Sequence, residues 1–169
     1  MLGLVVACSS PAIAPPAAPA VPQIAPALAA IEGSRDLEGA VVGRDREITI
    51  VVSFASWCAY CHVQLAAIEQ LVHTAHPAVR LLAVSYGAFE LDDARGSDSA
   101  VRRFVAGGAP WLRVVPIDDR EFAELGKPPL LPTIWVFAAD GSLAHVYDPR
   151  VRILPKPAEL DVLLRQLRG

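Results

Sequence analysis

Apolar positions along this chain fall into two kinds of block. Residues 48–54, ITIVVSF, are apolar and β-branched with almost no alternation, the pattern of a central strand covered on both faces. Residues 79–86, VRLLAVSY, read the same way. Between them, behind Cys58, Leu65, Ile68, Leu71 and Val72 recur at helical spacing, with His62, Gln64, Glu69 and Gln70 elsewhere around the turn. A helix is therefore expected to open directly after the first strand.

A polar loop follows the second strand. SDSAVRRFVAGG, residues 97–108, places Val101, Phe104 and Val105 on one helical face, with Gly107-Gly108 as a stop. WLRVVPI (111–117) is a short strand candidate. DDREFAELG (118–126) has acids in its first turn and Gly126 at its end, as a short helix would. TIWVF and LAHVY flank a turn through Asp140-Gly141, a hairpin signal. Leu160, Leu163, Leu164 and Leu167 form an i, i+3, i+4, i+7 stripe on a C-terminal helix. This order predicts an α/β fold, a central mixed β-sheet flanked by helices on both faces. There is no internal repeat.

The N-terminal end departs from this pattern. Residues 9–30 are almost all Pro, Ala and other small residues, which suit neither helix nor strand and read as a semi-extended spacer. MLGLVVAC, residues 1–8, resembles the end of a bacterial lipoprotein signal, in which a small residue precedes the cysteine that is lipidated; no basic residue precedes the run. The expected organisation is a signal-like segment over 1–8 with Cys8 as lipidation site, a Pro/Ala-rich linker over 9–35 and one folded domain over 36–169. Its location would be extracytoplasmic, in a bacterial periplasm, tethered to a membrane by Cys8. No stretch is long and apolar enough to span a membrane.

With 169 residues, the chain can bury a sizeable core. A net charge of −3 leaves no basic footprint for nucleic acid. Three cysteines, Cys8, Cys58 and Cys61, are too few for a disulfide-stapled scaffold. Two close together and one remote suggest a functional pair and a cysteine with a separate task.

The pair sits in SWCAYCH, where C-x-x-C-H is both the attachment signature of c-type haem and a dithiol motif. Haem would need both thiols, His62 as proximal ligand and a second axial ligand. The only Met is Met1, which leaves His73, His76 or His145. A cysteine at a strand end, opening an amphipathic helix, is not what a haem crevice requires. It does suit a dithiol. Cys58 at the helix N-terminus meets unpaired N–H groups and the positive end of the helix dipole, which favour a thiolate. Cys61 lies one turn further on and can close a small disulfide ring, so Cys58 reads as nucleophile and Cys61 as resolving thiol. Trp57 would shield one side. A copper or zinc site on Cys58, Cys61 and a histidine is a further reading, though no nearby pattern supplies the remaining ligands.

VVSFASWCAYC, LLPTIWVF and AADGSLAHVY together resemble the thioredoxin-fold, TlpA/ResA-like family of extracytoplasmic thiol-disulfide oxidoreductases, over about residues 36–169. The resemblance implies a thioredoxin-like fold with a cis-proline at Pro132 facing the disulfide, and Leu131 before it offering its backbone to an extended substrate segment. It implies protein substrates bearing cysteines or disulfides, a membrane electron donor such as a DsbD-like protein, and no cofactor beyond the redox-active Cys58–Cys61 disulfide. It leans toward reduction of targets, although direction is not written in the residues.

The departures are as informative. The family often has Pro inside the C-x-x-C, where Ala59-Tyr60 stands here, so no potential can be carried over. Thioredoxins bury an Asp at the position of Val52, and ResA-like members often carry Glu at that of Gln64. Neither acid is present to manage the Cys61 proton. His62, beside Cys61, is a candidate for that work, against the alternative of a solvated helix residue. His73, His76 and His145 read as solvated or structural. From a different class, a metal-binding or carrier module on the same fold is the alternative function.

Overall fold

The two apolar blocks become neighbouring parallel strands at the centre of a five-stranded sheet of order β3-β2-β1-β4-β5. In the computed structural model, residues 27–91, 97–150 and 154–169 are described, Leu91 and Asp98 by backbone alone. The strands are β1 (Thr49–Phe54), β2 (Arg80–Tyr86), β3 (Val114–Ile117), β4 (Ile134–Phe137) and β5 (Leu143–Tyr147). The helices are α1 (Ala59–Ala75), α2 (Gly87–Leu91), α3 (Asp98–Gly108), α4 (Asp119–Glu124) and α5 (Pro157–Arg168). β1, β2 and β3 run parallel, whereas β4 pairs antiparallel with β1 and β5 with β4.

Residues alternate between two buried faces, which is why β1 carries no polar side. Ile50, Val52 and Phe54 pack with Ile134 and Val136 against α1, α3 and α5. Val51, Leu82, Val84, Trp135 and Phe137 face the other way, toward Val42, Leu125 and the chain before β1. The hairpin turns at Gly141, whose φ of +84° is open to glycine at little steric cost, with Gly141 N–H donating to Ala138 O. Asp118 and Glu121 close a reciprocal capping box at the start of α4.

Three features differ from the sequence expectations. Leu28 and Ala30, within the segment read as spacer, and Ile31 just after it are buried under the second face, and a 3-10 turn covers Leu28–Ala30. Their apolar side chains complete a sheet face that α4 alone leaves uncovered. β3 is four residues long rather than seven, and Trp111, before it, is 41% exposed. α2, in place of a loop, follows β2 without a break, too short for periodicity to reveal. Cys8 and residues 9–26 lie outside the described residues, where the lipidation and spacer readings fall. Among the described residues no helix is long and apolar enough to cross a membrane.

Candidate active site

β1 delivers its last residue, Phe54, to a four-residue lead-in, Ala55 to Cys58, and Cys58 caps α1. Cys58 N–H donates to Ala55 O at 3.0 Å, and His62 N–H to Cys58 O at 3.2 Å. Cys58 and Cys61 form a disulfide with Cα atoms 5.3 Å apart. Cys61 N–H reaches Cys58 Sγ at 3.2 Å, so a helix N-terminal donor already points at the sulfur that would carry charge after reduction. The two sulfurs are not equivalent. Cys58 keeps 8% exposure and Cys61 none, which leaves only Cys58 open to a target.

Trp57 lies half-buried beside the pair, its indole N–H donating to Phe89 O at 2.9 Å. Ala59 and Tyr60, the residues between the cysteines, point outward, Tyr60 at 54% exposure. The Leu131–Pro132 peptide is cis. Because β4 runs antiparallel to β1, its start lies beside the end of β1. Ser53 ties the two together: its N–H donates to Thr133 O at 2.9 Å, and its hydroxyl accepts from Thr133 N–H at 2.8 Å. Leu131, half-buried, packs on the core cluster that contains Cys58 and Cys61, as Trp57 does. Sheet topology thus gathers Trp57, Cys58, Cys61, Leu131 and Pro132 at one end of the molecule.

His62 is not a solvated helix residue. Its ring is half-buried and stacks on Phe104 of α3, with centroids 3.9 Å apart and planes 14° from parallel. Burial pushes its pKa down, partly offset by the carbonyls of Ala55 and Ser56 and by the charge of Glu90. The other histidines sit elsewhere. His73 is exposed, His76 is buried against Asp161, and His145 lies against the Tyr147 ring in β5. None joins the cysteines, and among the described residues no group of three or more His, Cys, Asp or Glu forms a metal-binding cluster. The haem and metal readings therefore gain no partner side chains here.

Val52 and Gln64, the two positions where the sequence lacks an acid the resemblance implied, are a core residue and a half-buried amide. The acid near this site is one the sequence did not reveal. Glu90 of α2, 1% exposed, accepts from Ser56 N–H at 2.7 Å and from Ser56 Oγ–H at 2.6 Å. No spacing links Glu90 to the C-x-x-C; only the fold brings β2's end against the lead-in. Ser53 was more legible, as a hydroxyl deep in an apolar strand. A cavity of about 620 Å³ lies at the far end of β4 around Asp140, Arg44 and Glu32, and touches none of these residues.

No protein-family model and no curated protein sequence matches the chain. Solved structures do. A secreted Mycobacterium tuberculosis disulfide oxidoreductase homologous to E. coli DsbE is similar with a TM-score of 0.62 at 17% identity, over 81% of this chain and 96% of that one. A thioredoxin-family thiol:disulfide interchange protein from Chlorobium tepidum TLS is similar with a TM-score of 0.64 at 17% identity, covering 90% and 100%. StoA from Bacillus subtilis gives 0.56 at 17% identity, covering 77% and 92%. The chain has a thioredoxin-like fold, a mixed sheet flanked by helices.

Proposed function

We propose that this protein is a thiol-disulfide oxidoreductase that reduces disulfides in extracytoplasmic proteins. The observation that carries the reading is the Cys58–Cys61 disulfide at the N-terminus of α1, with one sulfur reachable and one sealed. In the reduced protein the Cys58 thiolate attacks one sulfur of a target disulfide. The target's other sulfur leaves as a thiolate and takes a proton, and a mixed disulfide remains. Cys61 then loses its proton and attacks Cys58 Sγ. The target's second thiol departs, Cys58–Cys61 closes, and two electrons have passed to the target.

The buried Cys61 suits the resolving role because no outside thiol can compete for it. Half-buried Leu131 would offer its backbone to a short β-pairing with an extended target segment, which would hold its cysteine in line with Cys58. The rim offers Tyr60, Val63 and Leu130, all exposed and uncharged, so apolar residues around the target cysteine fit it. The electron pair is carried by the reduced Cys58/Cys61 dithiol itself, without a separate cofactor. Regeneration falls to a membrane electron donor such as a DsbD-like protein, by analogy of fold and site. Lipidation at Cys8 would keep the domain beside that donor. The secreted similar structure from M. tuberculosis supports the extracytoplasmic setting.

The test is to trap the intermediate. Pre-reduced Cys61→Ser, mixed with a disulfide-bonded model protein, should accumulate a mixed disulfide through Cys58, and Cys58→Ser should accumulate none. Equal trapping by the two variants, or none by either, would sink the reading.

A further inference from the structure

A buried carboxylate beside a dithiol needs a reason, and the clamp it makes does not supply one. Both Glu90 oxygens accept from Ser56, one from the N–H and one from the hydroxyl. Neither bond asks the carboxyl to donate a proton. Among the described residues no Lys or Arg forms an ion pair with it. A neutral amide could hold the same residue, accepting from the N–H, so the negative charge exceeds what the clamp requires. Holding a charge in the interior is costly unless it is paired.

What Glu90 does adjoin is the redox site. Ser56 is two residues before Cys58, and Phe89, next to Glu90, binds the Trp57 indole. The field of Glu90 acts on His62, the neighbour of Cys61. Tyr86, Phe89 and Phe122 stack into one aromatic group, with Tyr86 on Phe122 at 4.0 Å and Phe89 edge-on to both at 5.5 Å. That group fixes α2, and so fixes Glu90. Three other ionisable groups on the surrounding elements are engaged in bonds of their own. Arg102 of α3 donates to Leu37 O, Arg103 to Ser99 Oγ, and Asp119 of α4 accepts from Tyr86 OH.

We infer that Glu90 is a positioning residue that biases the Cys58–Cys61 pair toward giving electrons away. Its two hydrogen bonds hold the lead-in that presents Cys58. Its charge opposes a second negative charge on the sulfurs, so the reduced thiolate form is less stable and the disulfide is favoured. A dithiol whose reduced form is destabilised is the stronger reductant, the reverse of an oxidant whose reduced form is stabilised. The inference rests on the proposed function, and it gives that function a direction.

The experiment compares the full-length wild-type chain with Glu90→Gln, which keeps the shape of the clamp and removes the charge. Each is equilibrated with glutathione at fixed pH, and Cys58 alkylation is followed against pH. Glu90→Gln should hold about tenfold more of the reduced form, about 30 mV toward oxidising for a two-electron couple. Its alkylation midpoint should move to lower pH. A folded Glu90→Gln protein with both readouts unchanged would overturn the inference and leave a bare clamp. Should the variant not fold, the reduced wild type decides. Its Glu90 carboxyl carbon resonance should move with the Cys58 thiolate absorbance, and independence of the two would overturn the inference equally. A wild-type pair that never exchanges with glutathione would instead sink the proposed function itself.

Discussion

The two ends of α1 each set a histidine near an acid, and they use the pair differently. At the C-terminal end His76 is 1% exposed, and its Nε2 meets Asp161 of α5 at 2.8 Å. Asp161 also accepts from Arg165, one turn along α5. The acid grips the histidine, and the product is an anchor between two helices. At the N-terminal end the acid grips Ser56 instead, and His62 is left on backbone carbonyls and the face of Phe104. Each ring has one buried nitrogen without a partner, Nδ1 of His76 and Nε2 of His62. The difference lies in where the carboxylate spends its bonds. One end is locked by mutual pairing, whereas the other keeps its charge free to act on the sulfurs.

Variants at the two ends should therefore fail in different ways. The largest effect is expected from Cys58→Ser, which removes the attacking sulfur. Reduction of a model protein disulfide should fall to background while the circular dichroism spectrum stays that of the wild type. Residual turnover would place the nucleophile elsewhere. Next comes Asp161→Ala at the opposite end. It strips the partner from a buried imidazole and should cost about 2–3 kcal/mol in denaturant unfolding. The glutathione equilibrium should not move, and a moved equilibrium would break the division between the ends.

A third acid extends the anchoring class. Asp36 accepts from Arg113 Nε at 2.7 Å and from Ala40 N–H at 2.7 Å, fastening the chain before β1 to the edge of the sheet. Burial alone would raise its pKa, but the Arg113 and Ala40 bonds outweigh burial and hold it below the usual carboxylate range. The resulting stability is present above the unfolded value of 3.8 and is lost as pH falls through the lower folded value. Asp36→Asn should cost about 1–2 kcal/mol near neutral pH. Its deficit should shrink in acid, as unfolding curves at both pH values would measure.

The smallest effect belongs to His62→Leu, which removes the stack on Phe104, about 1 kcal/mol. His62 is depressed in the folded state, so its neutral form is the one the fold prefers. Its contribution is then full above the unfolded value near 6.5 and is lost as pH falls from there toward the folded value. Unfolding free energies of His62→Leu should therefore change less between about pH 7 and pH 5 than those of the wild type. An identical slope would remove His62 from the titrating groups of the site.

Much of this was legible because the signals were local. The buried β1 run, the C-x-x-C at its end and the α1 periodicity lie within one continuous stretch, and Asp140-Gly141 names its own turn. Pro132 was reachable only through resemblance, since nothing in its neighbours dictates a cis bond. Glu90 was invisible for a physical reason: its partner Ser56 is 34 residues away, joined to it by the parallel pairing of β1 and β2. The N-terminal cover was misjudged because Pro and Ala composition describes a backbone's stiffness, not whether Leu28 and Ile31 find a sheet face to bury on.

The most direct test of the account is the reduction potential of the Cys58/Cys61 couple, measured by thiol trapping of the full-length chain in defined redox buffers. Removing residues 1–30 would strip Leu28 and Ala30 from the core and confound it. The account predicts a reversible two-electron couple near or below about −250 mV, among thioredoxin-like reductants. A value near about −120 mV would make the protein an oxidant and contradict the direction assigned here. A pair that neither opens nor closes at any poise would contradict the redox function altogether.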